Sequence, residues 1–513
     1  MLVALTLSAM LLEGAGTDWS VIFMRDIFST PPFISGMAFA LGALSQFIVR
    51  FFADRFGSNG WKSADKMPRY FDDPRGRFEG FGAIIVLPNS TEQVSLIVKL
   101  CNAKKVGLVP YSGGTGVVAG QLSIDSKDVI ILSLERMNKV REVSLDDNVV
   151  IVEAGCVLEN IHSSVEKHNL IFPLNMASKG SCCIGGNLAT NAGGIQVLRY
   201  GNARDLCIGI EAVLPCGTVL SELNPLHKNN TGYDLKNLLI GSEGTLGIIT
   251  VATLKLKPID SESGTALVAI KSPHDIHKIY KSLKTHVSEN ISAIELMSGF
   301  GVSLVTSKFS KLRNPFNIDY EWFLLIEVTG ANGIAERLEG ALNDCFERDI
   351  LLDAIIAQSQ QQKDDLWNLR EMTPEANRIS GAFCNSDTSV PVSKISNFIE
   401  DAHCAIQKVY PNLRINSYGH IGDGNIHLNV LPPKEISKDD FLKSNPNVRE
   451  QVRMAINETT HLLGGSISAE HGIGRLKTRD LEMYASKARL KAIKSIKSAL
   501  DPNNIMNPGV IIP

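Results

Sequence analysis

Residues 111–120 read Tyr-Ser-Gly-Gly-Thr-Gly-Val-Val-Ala-Gly and follow an apolar run at 107–110 that predicts a strand. Residues 114–119 satisfy the Gly-x-Gly-x-x-Ala pattern of a Rossmann dinucleotide site, which requires a helix directly after the glycines. The next residues, 120–128, read Gly-Gln-Leu-Ser-Ile-Asp-Ser-Lys-Asp and are rich in turn formers, and 129–132 predicts another strand. Because the helix is missing, we reject the Rossmann fold.

Two further glycine-rich runs lie downstream. Residues 179–194 read Lys-Gly-Ser-Cys-Cys-Ile-Gly-Gly-Asn-Leu-Ala-Thr-Asn-Ala-Gly-Gly, and residues 241–247 read Gly-Ser-Glu-Gly-Thr-Leu-Gly before a β-branched run at 248–251. Glycine allows positive φ angles and a close approach of backbone N–H groups to a ligand, so such loops can hold phosphate oxygens. One run alone is usually only a turn. Three of them indicate an extended, phosphate-bearing cofactor.

A pattern of a different kind begins at residue 420, where the chain reads His-Ile-Gly-Asp-Gly-Asn-Ile-His-Leu-Asn. His420, His427 and the later Glu470 supply the two-imidazole, one-carboxylate set that holds a divalent metal and leaves positions open for a substrate. His471 follows Glu470 directly, so a titratable base can stand beside that metal. The pattern indicates metal-assisted proton removal.

The same residues have simpler interpretations. His420 and His427, with Asp-Gly-Asn between them, can form a tight hairpin turn that binds no ligand. Glu470 and His471 can cap a helix that begins near Gly474. From these residues alone, a metal site is one of several alternatives.

The composition limits the function classes. A chain of 513 residues exceeds one hydrophobic core, so we expect two or three domains. Its formal net charge is -3 with scattered Lys and Arg, which gives no reason to expect a nucleic-acid partner. The nine cysteines form no Cys-x-x-Cys pair and no zinc-finger spacing. We interpret them as buried free thiols in a reducing compartment, and we expect a cytoplasmic protein.

Residues 1–57 differ from the rest of the chain. Residues 1–12 are almost wholly apolar, and residues 32–49 carry no charge over a length near the lower limit for spanning a bilayer. No positive charge precedes the first apolar run, so a secretory signal fits poorly. The segment resembles a short piece of a major facilitator transporter, and we interpret it as a fused fragment without transport function. If it inserts, Arg50 and Arg55 place the next domain on the cytoplasmic side, so membrane association through this segment is left open.

The rest of the chain alternates strands and helices. In the first part, residues 83–87 predict a strand and residues 90–101 a helix capped by Ser90. Beyond residue 258, strand-like segments lie at 265–270, 322–328, 414–417 and 426–430, and helical segments at 275–283, 334–346 and 395–409. This alternation predicts an α+β domain in which helices face an antiparallel sheet. A helix at 487–500 and a turn-rich tail follow.

With these motifs in place, residues 61–513 resemble the FAD-dependent D-2-hydroxy acid dehydrogenases of the vanillyl-alcohol oxidase-like flavoproteins, and their D-2-hydroxyglutarate-oxidising branch most closely. The resemblance implies an α+β fold with a two-part PCMH-type FAD-binding domain over 58–258. An α+β cap domain with an antiparallel sheet then covers 259–465. The resemblance also implies that residues 466–513, with a C-terminal helix and tail, return to the flavin and complete the active site.

The resemblance assigns the glycine-rich runs to FAD. Residues 112–116 match the loop that holds the pyrophosphate, the second run matches the segment around the flavin and ribityl chain, and Asn507 matches a residue near the isoalloxazine. The matching residues are Ser112, Gly113, Gly114, Thr115, Gly116, Ser178, Gly185, Gly186, Asn187, Thr190, Asn191, Gly193, Gly194, Glu243, Gly244, Ile249 and Asn507. No His or Cys stands where relatives attach flavin covalently, so we expect non-covalent FAD.

The resemblance also assigns the imidazole motifs. His420, His427 and Glu470 match the family's zinc ligands, and His471 matches its general base. Zn²⁺ or another divalent metal then binds the hydroxyl and carboxylate of the substrate and lowers the hydroxyl pKa. His471 removes the hydroxyl proton while hydride passes from C2 to flavin N5. The implied reaction oxidises a D-2-hydroxy acid to the 2-oxo acid.

Four residues concern the choice of acid. Arg370 matches the arginine that clamps a substrate carboxylate, although a solvated helix face would explain it too, and Asn429 matches a substrate contact. The family's carboxylate-binding lysine is replaced by Asn385, and a threonine four residues after the arginine is replaced by Pro374. Losing an ammonium and a hydroxyl weakens the binding of a charged substrate arm. The substrate is then a small 2-hydroxy acid, either D-2-hydroxyglutarate or another such as lactate or malate.

Three other functions stay open at this point. A metal-independent flavin oxidase of the lactate or glycolate type would keep its activity after chelation. A non-catalytic, decayed fusion protein, suggested by the leader and by Asn385, would lack flavin absorbance. A zinc hydrolase would use the same three ligands but leaves the glycine-rich runs without a purpose. From the resemblance alone, the electron acceptor is a quinone or an electron-transfer flavoprotein, and a homodimer is compatible with the sequence.

Overall fold

The computed structural model describes residue 57, residues 59–126 and residues 128–512. The leader at 1–57, and with it the uncharged run at 32–49, lies outside these residues except for Gly57. Within the described part, no helix combines the length and the apolar character needed to cross a bilayer.

The first sheet is built from short apolar runs. Its strands are β1 (Trp61–Ser63), β2 (Ile84–Val86), β3 (Gly107–Tyr111) and β4 (Val129–Ser133), in the order β1-β2-β4-β3. β4 is parallel to β2 and β3, whereas β1 is antiparallel to β2. The crossover helix α1 (Thr91–Lys104) begins after Ser90, whose hydroxyl accepts a hydrogen bond from the Gln93 N–H, as predicted. The described residues between β3 and β4 contain no helix, in agreement with the rejected Rossmann fold.

The second sheet is antiparallel, and the second and third glycine-rich runs precede its strands Cys207–Val213 and Ile248–Lys255 in the chain. Its strands, in spatial order, are β5 (Val140–Ser144), β6 (Val149–Glu153), β10 (Ile248–Lys255), β8 (Cys207–Val213) and β9 (Val219–Glu222), and β7 (Leu170–Ile171) pairs separately with β11 (Lys257–Pro258). The helices are α2 (Leu158–Glu166), α3 (Ile184–Ala189), α4 (Val197–Tyr200), α5 (Ala203–Leu206) and α6 (Leu235–Leu239). Helix α3 lies inside the second glycine-rich run and was not predicted.

The third sheet has eight antiparallel strands and carries the imidazole motif. In chain order they are β12 (Glu262–Ile270), β13 (Ile291–Ser298), β14 (Trp322–Gly330), β15 (Asp353–Ile356), β16 (Cys384–Asn385), β17 (Thr388–Ser389), β18 (Arg414–His420) and β19 (Asn425–Leu431). The spatial order is β15-β12-β14-β13-β18-β19-β16, with β17 also on β19. All four strands predicted in this part are present, and the antiparallel arrangement is confirmed.

Helices cover this sheet and bury its apolar residues. They are α7 (Ile276–Val287), α8 (Gly299–Lys308), α9 (Ile334–Glu347), α10 (Gln360–Glu371), α11 (Thr373–Ile379), α12 (Ile395–Val409), α13 (Lys438–Ser444) and α14 (Val448–Leu462). Single 3-10 turns occur at Ala64–Lys66, Pro68–Tyr70, Pro273–Asp275, Ser288–Asn290 and Val392–Lys394. The three predicted helices correspond to α7, α9 and α12. Apolar side chains on those helices pack against β12, β13 and β14 in one core.

The C-terminal segment returns to the first sheet. After α15 (Thr478–Tyr484) and α16 (Lys487–Leu500), the tail runs beside β3. The Leu108 N–H donates to the Ile505 carbonyl at 2.7 Å, and the Asn507 N–H donates to the Leu108 carbonyl at 2.7 Å. Asp501 holds the turn by accepting hydrogen bonds from the backbone N–H groups of residues 505 and 506. The predicted return of the tail is therefore present.

Candidate functional site

One cavity collects the three glycine-rich runs and the tail. Of the residues assigned to FAD, it is lined by Ser112, Gly114, Thr115, Gly116, Ser178, Gly185, Gly186, Asn187, Thr190, Gly193, Glu243, Gly244, Ile249 and Asn507. Lining residues that the sequence did not single out include Gln121, Leu134, Met176, Ala192, Leu239 and Ser242. Most of these stand within or just beside the glycine-rich runs, so their position in the sequence was the available signal. We call this space the cofactor cavity.

Three assigned residues do not line the cofactor cavity. Gly113 has a φ of +85°, and a Cβ there would lie 2.7 Å from the Cys183 nitrogen, so this glycine lets two runs pack together. A Cβ at Gly194 would lie 2.2 Å from the Asn175 carbonyl oxygen. Asn191 accepts a hydrogen bond from the Arg204 N–H at 3.0 Å. These residues shape the runs rather than face the space between them.

Two buried amides in the cofactor cavity fit a polar, hydrogen-bonding cofactor. The side-chain oxygens of Asn187 and Asn507 are buried and have no hydrogen-bond partner within the described part of the chain. Both residues line the cavity, so a ligand there can donate to them. The Asn507 side-chain amide also donates to the Gly120 and Glu243 carbonyls at 2.9 and 2.8 Å, which fixes its orientation. The ribityl hydroxyls and ring N–H of FAD are donors of the required kind.

Cys183, which belongs to the second run, also lines the cofactor cavity. Burial raises the pKa of its thiol to about 12. A protonated thiol is a poor nucleophile, so this chemistry favours the expected non-covalent FAD.

The imidazole motif forms a hairpin that presents both rings on one face. In the β18–β19 pair, Tyr418 lies opposite His427, and His420 lies opposite Asn425. Because side chains alternate along a strand, Tyr418, His420 and His427 share a face of the sheet. The His420 and His427 ring centroids are 5.6 Å apart. The hairpin is thus present, and it brings the two imidazoles together.

Glu470 completes the ligand set from the C-terminal segment. Its Oε1 lies 3.6 Å from His420 Nε2, and one ligand atom from each of His420, His427 and Glu470 lies within 4.8 Å of the others. We call these three residues the metal group. No helix begins at Gly474, since α15 starts at Thr478, so the alternative in which Glu470 and His471 cap a helix is wrong.

The second nitrogen of each imidazole in the metal group has an acceptor. His420 Nδ1 is 2.6 Å from Glu295 Oε1, and His427 Nδ1 is 3.4 Å from the Ser386 carbonyl. Metal-bound histidines are usually held in this way, with a carboxylate or carbonyl on the nitrogen that does not bind the metal. The residues present therefore fit a divalent metal.

The protonation of the metal group supports the same conclusion. Burial lowers the pKa of His420, but the Glu295 carboxylate outweighs burial and raises it to about 9. Burial and the charge of His420 together lower the pKa of His427 to about 3. Burial raises the pKa of Glu470 to about 7. The Glu295 carboxylate therefore stabilises one positive charge at His420. A bound metal can supply that charge in place of the proton.

His471 joins the metal group to the cofactor cavity. Its ring is stacked on that of His427 with centroids 6.4 Å apart, and both Glu470 and His471 line the cavity. Burial lowers the pKa of His471 to about 4, although the Asp387 carboxylate opposes this shift. The imidazole is therefore neutral near pH 7, the state that a general base requires.

The assigned substrate residues lie beside the metal group. Arg370 is buried in α10, its Nε donates to Glu295 Oε2 at 2.7 Å, and its guanidinium lies 4.8 Å from the Tyr418 ring centroid. The interpretation of Arg370 as a solvated helix face is therefore wrong. The Asn429 amide donates to the Tyr418 hydroxyl at 3.1 Å, and the Asn385 amide donates to Asn429 Oδ1 at 3.2 Å.

Pro374 stands in the first turn of α11. A proline is tolerated at that position because the first N–H groups of a helix have no intrahelical partner. The departure from the family's threonine therefore has a simple local explanation.

Two carboxylates of the site were missed from the sequence. Glu295 contacts both His420 and Arg370, and its only signal is that it is the one charged residue in β13. Burial raises the pKa of Glu295, but the charges of His420 and Arg370 outweigh burial and hold it at about 2. Asp387 lies between β16 and β17 and accepts hydrogen bonds from the backbone of residues 470 and 471. Nothing in the sequence marked Asp387 as a site residue except its position two residues after Asn385.

Comparison with known proteins shows what the chain is similar to. Residues 82–221 match the family described as "FAD binding domain", and residues 259–511 match the family described as "FAD linked oxidases, C-terminal domain". The chain is 37% identical to a D-2-hydroxyglutarate dehydrogenase of Stutzerimonas stutzeri, over 87% of this chain and 95% of the relative. It is 35% identical to a probable mitochondrial D-2-hydroxyglutarate dehydrogenase of Oryza sativa subsp. indica, over 92% of this chain and 83% of the relative.

A solved structure supports the fold. p-Cresol methylhydroxylase with bound substrate superimposes with a TM-score of 0.69 at 18% identity, over 90% of this chain and 96% of that chain. The resemblance stated from the motifs and the PCMH-type fold are thus confirmed. The zinc hydrolase loses its support, since the two family matches cover both parts of an FAD-linked enzyme. The chain belongs to the FAD-linked oxidase family that includes the D-2-hydroxyglutarate dehydrogenases, and it is an FAD-dependent oxidoreductase.

Proposed function

We propose that this enzyme oxidises a D-2-hydroxy acid to the 2-oxo acid with a divalent metal, Zn²⁺ or another, at His420, His427 and Glu470. The observation that carries the proposal is the position of Glu470 and His471. Both line the cofactor cavity, and Glu470 also belongs to the metal group. A substrate whose hydroxyl oxygen lies at the metal group would therefore stand beside the base and the cofactor at once.

The chain's own residues have separate tasks in this reaction. Arg370 holds the substrate carboxylate with its two terminal nitrogens, because its Nε is already engaged by Glu295. His471, neutral because of its burial, accepts the hydroxyl proton. As that proton leaves, the C2–H bond breaks with both electrons and a C2=O double bond forms. FAD, when bound, supplies the hydride acceptor at N5, and the metal supplies Lewis-acid stabilisation of the developing alkoxide.

Two substrates are worth separating. The relatives named D-2-hydroxyglutarate dehydrogenases make D-2-hydroxyglutarate the first to test. Asn385 favours a second candidate, because it places an amide, engaged with Asn429, where the family has a lysine for the far carboxylate. D-lactate has no far carboxylate and therefore needs no cation there. D-malate has a second carboxylate, but on a shorter arm than that of 2-hydroxyglutarate.

For the electron acceptor we propose, from the family resemblance, a quinone or an electron-transfer flavoprotein. A cytoplasmic location, membrane contact through residues 1–57 and a homodimer stay predictions from the sequence.

The proposal is tested by anaerobic bleaching of the flavin. Purified protein is mixed with the D and L forms of 2-hydroxyglutarate, malate and lactate, before and after EDTA treatment and after Zn²⁺ is added back. We expect bleaching by at least one D acid and not by its L form, loss of bleaching with EDTA, and recovery with Zn²⁺. Bleaching that survives EDTA would establish the metal-independent oxidase instead. Absence of bleaching with every acid would overturn the proposal.

A further inference from the structure

A short segment of the chain, residues 470–474, connects the metal group to the cofactor cavity. It has no regular secondary structure, although Glu470 and His471 must be placed accurately for the proposed chemistry. Two buried carboxylates from distant parts of the chain, Asp387 and Glu243, accept hydrogen bonds from its backbone.

Asp387 holds the first half of the segment. Its Oδ2 accepts from the His471 N–H at 2.8 Å, and both its oxygens lie within hydrogen-bond distance of the Glu470 N–H, at 3.2 and 3.3 Å. Asn425 and Ser468 donate to the same carboxylate at 3.3 and 3.4 Å. Only 3% of Asp387 is exposed, so these bonds are shielded from water.

Glu243 holds the second half of the segment. Its two oxygens accept from the Ile473 and Gly474 N–H groups, each at 2.8 Å. Gly472 lies between the two halves with a φ of +82°, and a Cβ there would lie 2.7 Å from Glu243 Oε1. The segment thus bends between one carboxylate from the third sheet and one from the third glycine-rich run.

Asp387 also lies close enough to Glu470 and His471 to suggest a second metal site, since one ligand atom of each lies within 4.8 Å of the others. The hydrogen bonds argue against it. A carboxylate offers about four acceptor sites, and Asp387 already receives donors from Glu470, His471, Asn425 and Ser468. Its oxygens are occupied by the protein.

We infer that Asp387 and Glu243 form a clamp that positions Glu470 and His471 between the metal group and the cofactor cavity. The inference rests on the proposed function for its catalytic consequence, but not for its geometry. Neither residue need touch the substrate: both accept hydrogen bonds from the peptide groups of residues 470–474, and Asp387 Oδ2 also lies 3.4 Å from His471 Nδ1. Loss of Asp387 therefore displaces a metal ligand and the base together, whereas loss of any ordinary buried carboxylate only lowers stability.

The test compares Asp387→Asn with Asp480→Asn. Asp480 is a matched control because it is also 3% exposed and is ion-paired with Arg453. Within the described residues it shares no hydrogen bond or ion pair with residues 470–474. Zn²⁺ is titrated into FAD-loaded protein without substrate. We expect D387N to raise the Zn²⁺ dissociation constant about 10- to 100-fold, as for loss of other groups that orient metal ligands, and D480N to leave it near the wild-type value.

Two further measurements keep the test decisive. Hydrogen exchange at the amides of residues 470 and 471 should accelerate in D387N and not in D480N. At saturating Zn²⁺, the rate of flavin reduction should fall about 10- to 100-fold in D387N, with a smaller change in KM. If D387N fails to fold, Gly472→Ala, which keeps both carboxylates but crowds Glu243, should still slow flavin reduction.

Wild-type metal affinity and amide exchange in D387N would overturn the clamp, and so would an equal loss in D480N. If the wild-type protein oxidises no 2-hydroxy acid, the proposed function fails. The Zn²⁺ titration and the amide exchange would then still decide the clamp.

Discussion

The cofactor cavity is lined largely by backbone and small side chains from three contiguous runs, whereas the metal group is made of side chains from separate elements. A run such as 179–194 is recognisable in the sequence by itself, because its glycines permit the close packing that the cavity wall requires. The metal group depends on partners far along the chain: Glu295 and His420 are 125 positions apart, and Asp387 and Glu470 are 83 apart. A change in one run should therefore act locally, and a change at the metal group should act through several elements.

The largest effect should come from His427→Ala, which breaks the metal group. Removing one of three ligands removes the metal, and with it several kcal/mol of transition-state stabilisation, so flavin reduction by the D acid should slow about 10³-fold. FAD should stay bound, because His427 does not line the cofactor cavity. The measurements are bound zinc, flavin absorbance and the bleaching rate.

His274→Ala is the control, since His274 lies on the exposed surface and pairs with Glu400. Loss of flavin together with zinc in H427A would contradict the separation of the two regions.

The next effect concerns the second glycine-rich run. A Cβ at Gly186 would lie 2.6 Å from the Ser112 carbonyl oxygen, whereas a Cβ at Gly180 would meet nothing closer than 3.4 Å. Overpacking of this kind costs about 1–3 kcal/mol, so Gly186→Ala should weaken FAD binding about 10- to 100-fold. Gly180→Ala should bind FAD like the wild type. Equal dissociation constants in the two variants, measured by flavin fluorescence, would show that close packing of the runs is not what shapes the cavity.

A smaller effect is expected at the substrate end. Asn385 lies opposite Asn429 in the register of β16 and β19, so a lysine there reaches the same space. Asn385→Lys should raise kcat/KM for D-2-hydroxyglutarate about 10-fold, in line with a hydrogen bond to a charged group. The value for D-lactate should change little. An unaltered ratio of the two kcat/KM values would count against this residue as the determinant of substrate choice.

The smallest effect is expected at an ion pair that links the FAD-binding part of the chain to the third sheet. Arg199 in α4 forms an ion pair with Asp260 at 2.6 Å, just before β12. Burial raises the pKa of Asp260, but Arg199, Thr329 and Tyr200 outweigh burial and lower it below the ordinary Asp value. The ionised form is therefore stabilised in the folded protein. The ion pair therefore contributes to the free energy of unfolding above the ordinary Asp pKa. This contribution is lost as the pH falls through the lowered pKa of Asp260.

Asp260→Asn should reduce the free energy of unfolding by about 1 kcal/mol at pH 7, since the pair is partly exposed. The difference from the wild type should shrink as the pH falls through the lowered pKa of Asp260, as measured by urea unfolding at pH 7 and across the acid range. A difference that persists in acid would mean that the ion pair is not its source.

Periodicity and capping predicted the regular elements well. Helices α12 and α16 have their predicted bounds, and α1 begins after Ser90, because each carries its apolar spacing or cap within a few residues. Helix α3 was missed, since its Gly-Gly-Asn composition has poor helix propensity and only surrounding packing makes it helical.

The candidate site also contains residues that local motifs predicted and residues that only the structure identifies. Sequence motifs identified the ligand types at 420–429 and 469–472, because these residues cluster locally. They could not identify Glu295, whose role depends on which strand lies beside β18 in the third sheet. Nor could they identify Asp387, which accepts hydrogen bonds from the backbone of residues 470 and 471 and lies 3.4 Å from His471 Nδ1, because it stands 84 positions before His471.

Because the tail pairs with β3, the cofactor cavity is completed late in synthesis of the chain. Asn507 donates to the Gly120 carbonyl across 387 positions of the chain. The first sheet and its glycine-rich run therefore leave the ribosome long before the residues that close the cofactor cavity. A nascent chain that stalls before residue 500 would have all three sheets in its sequence but would lack the tail residues that close the cofactor cavity.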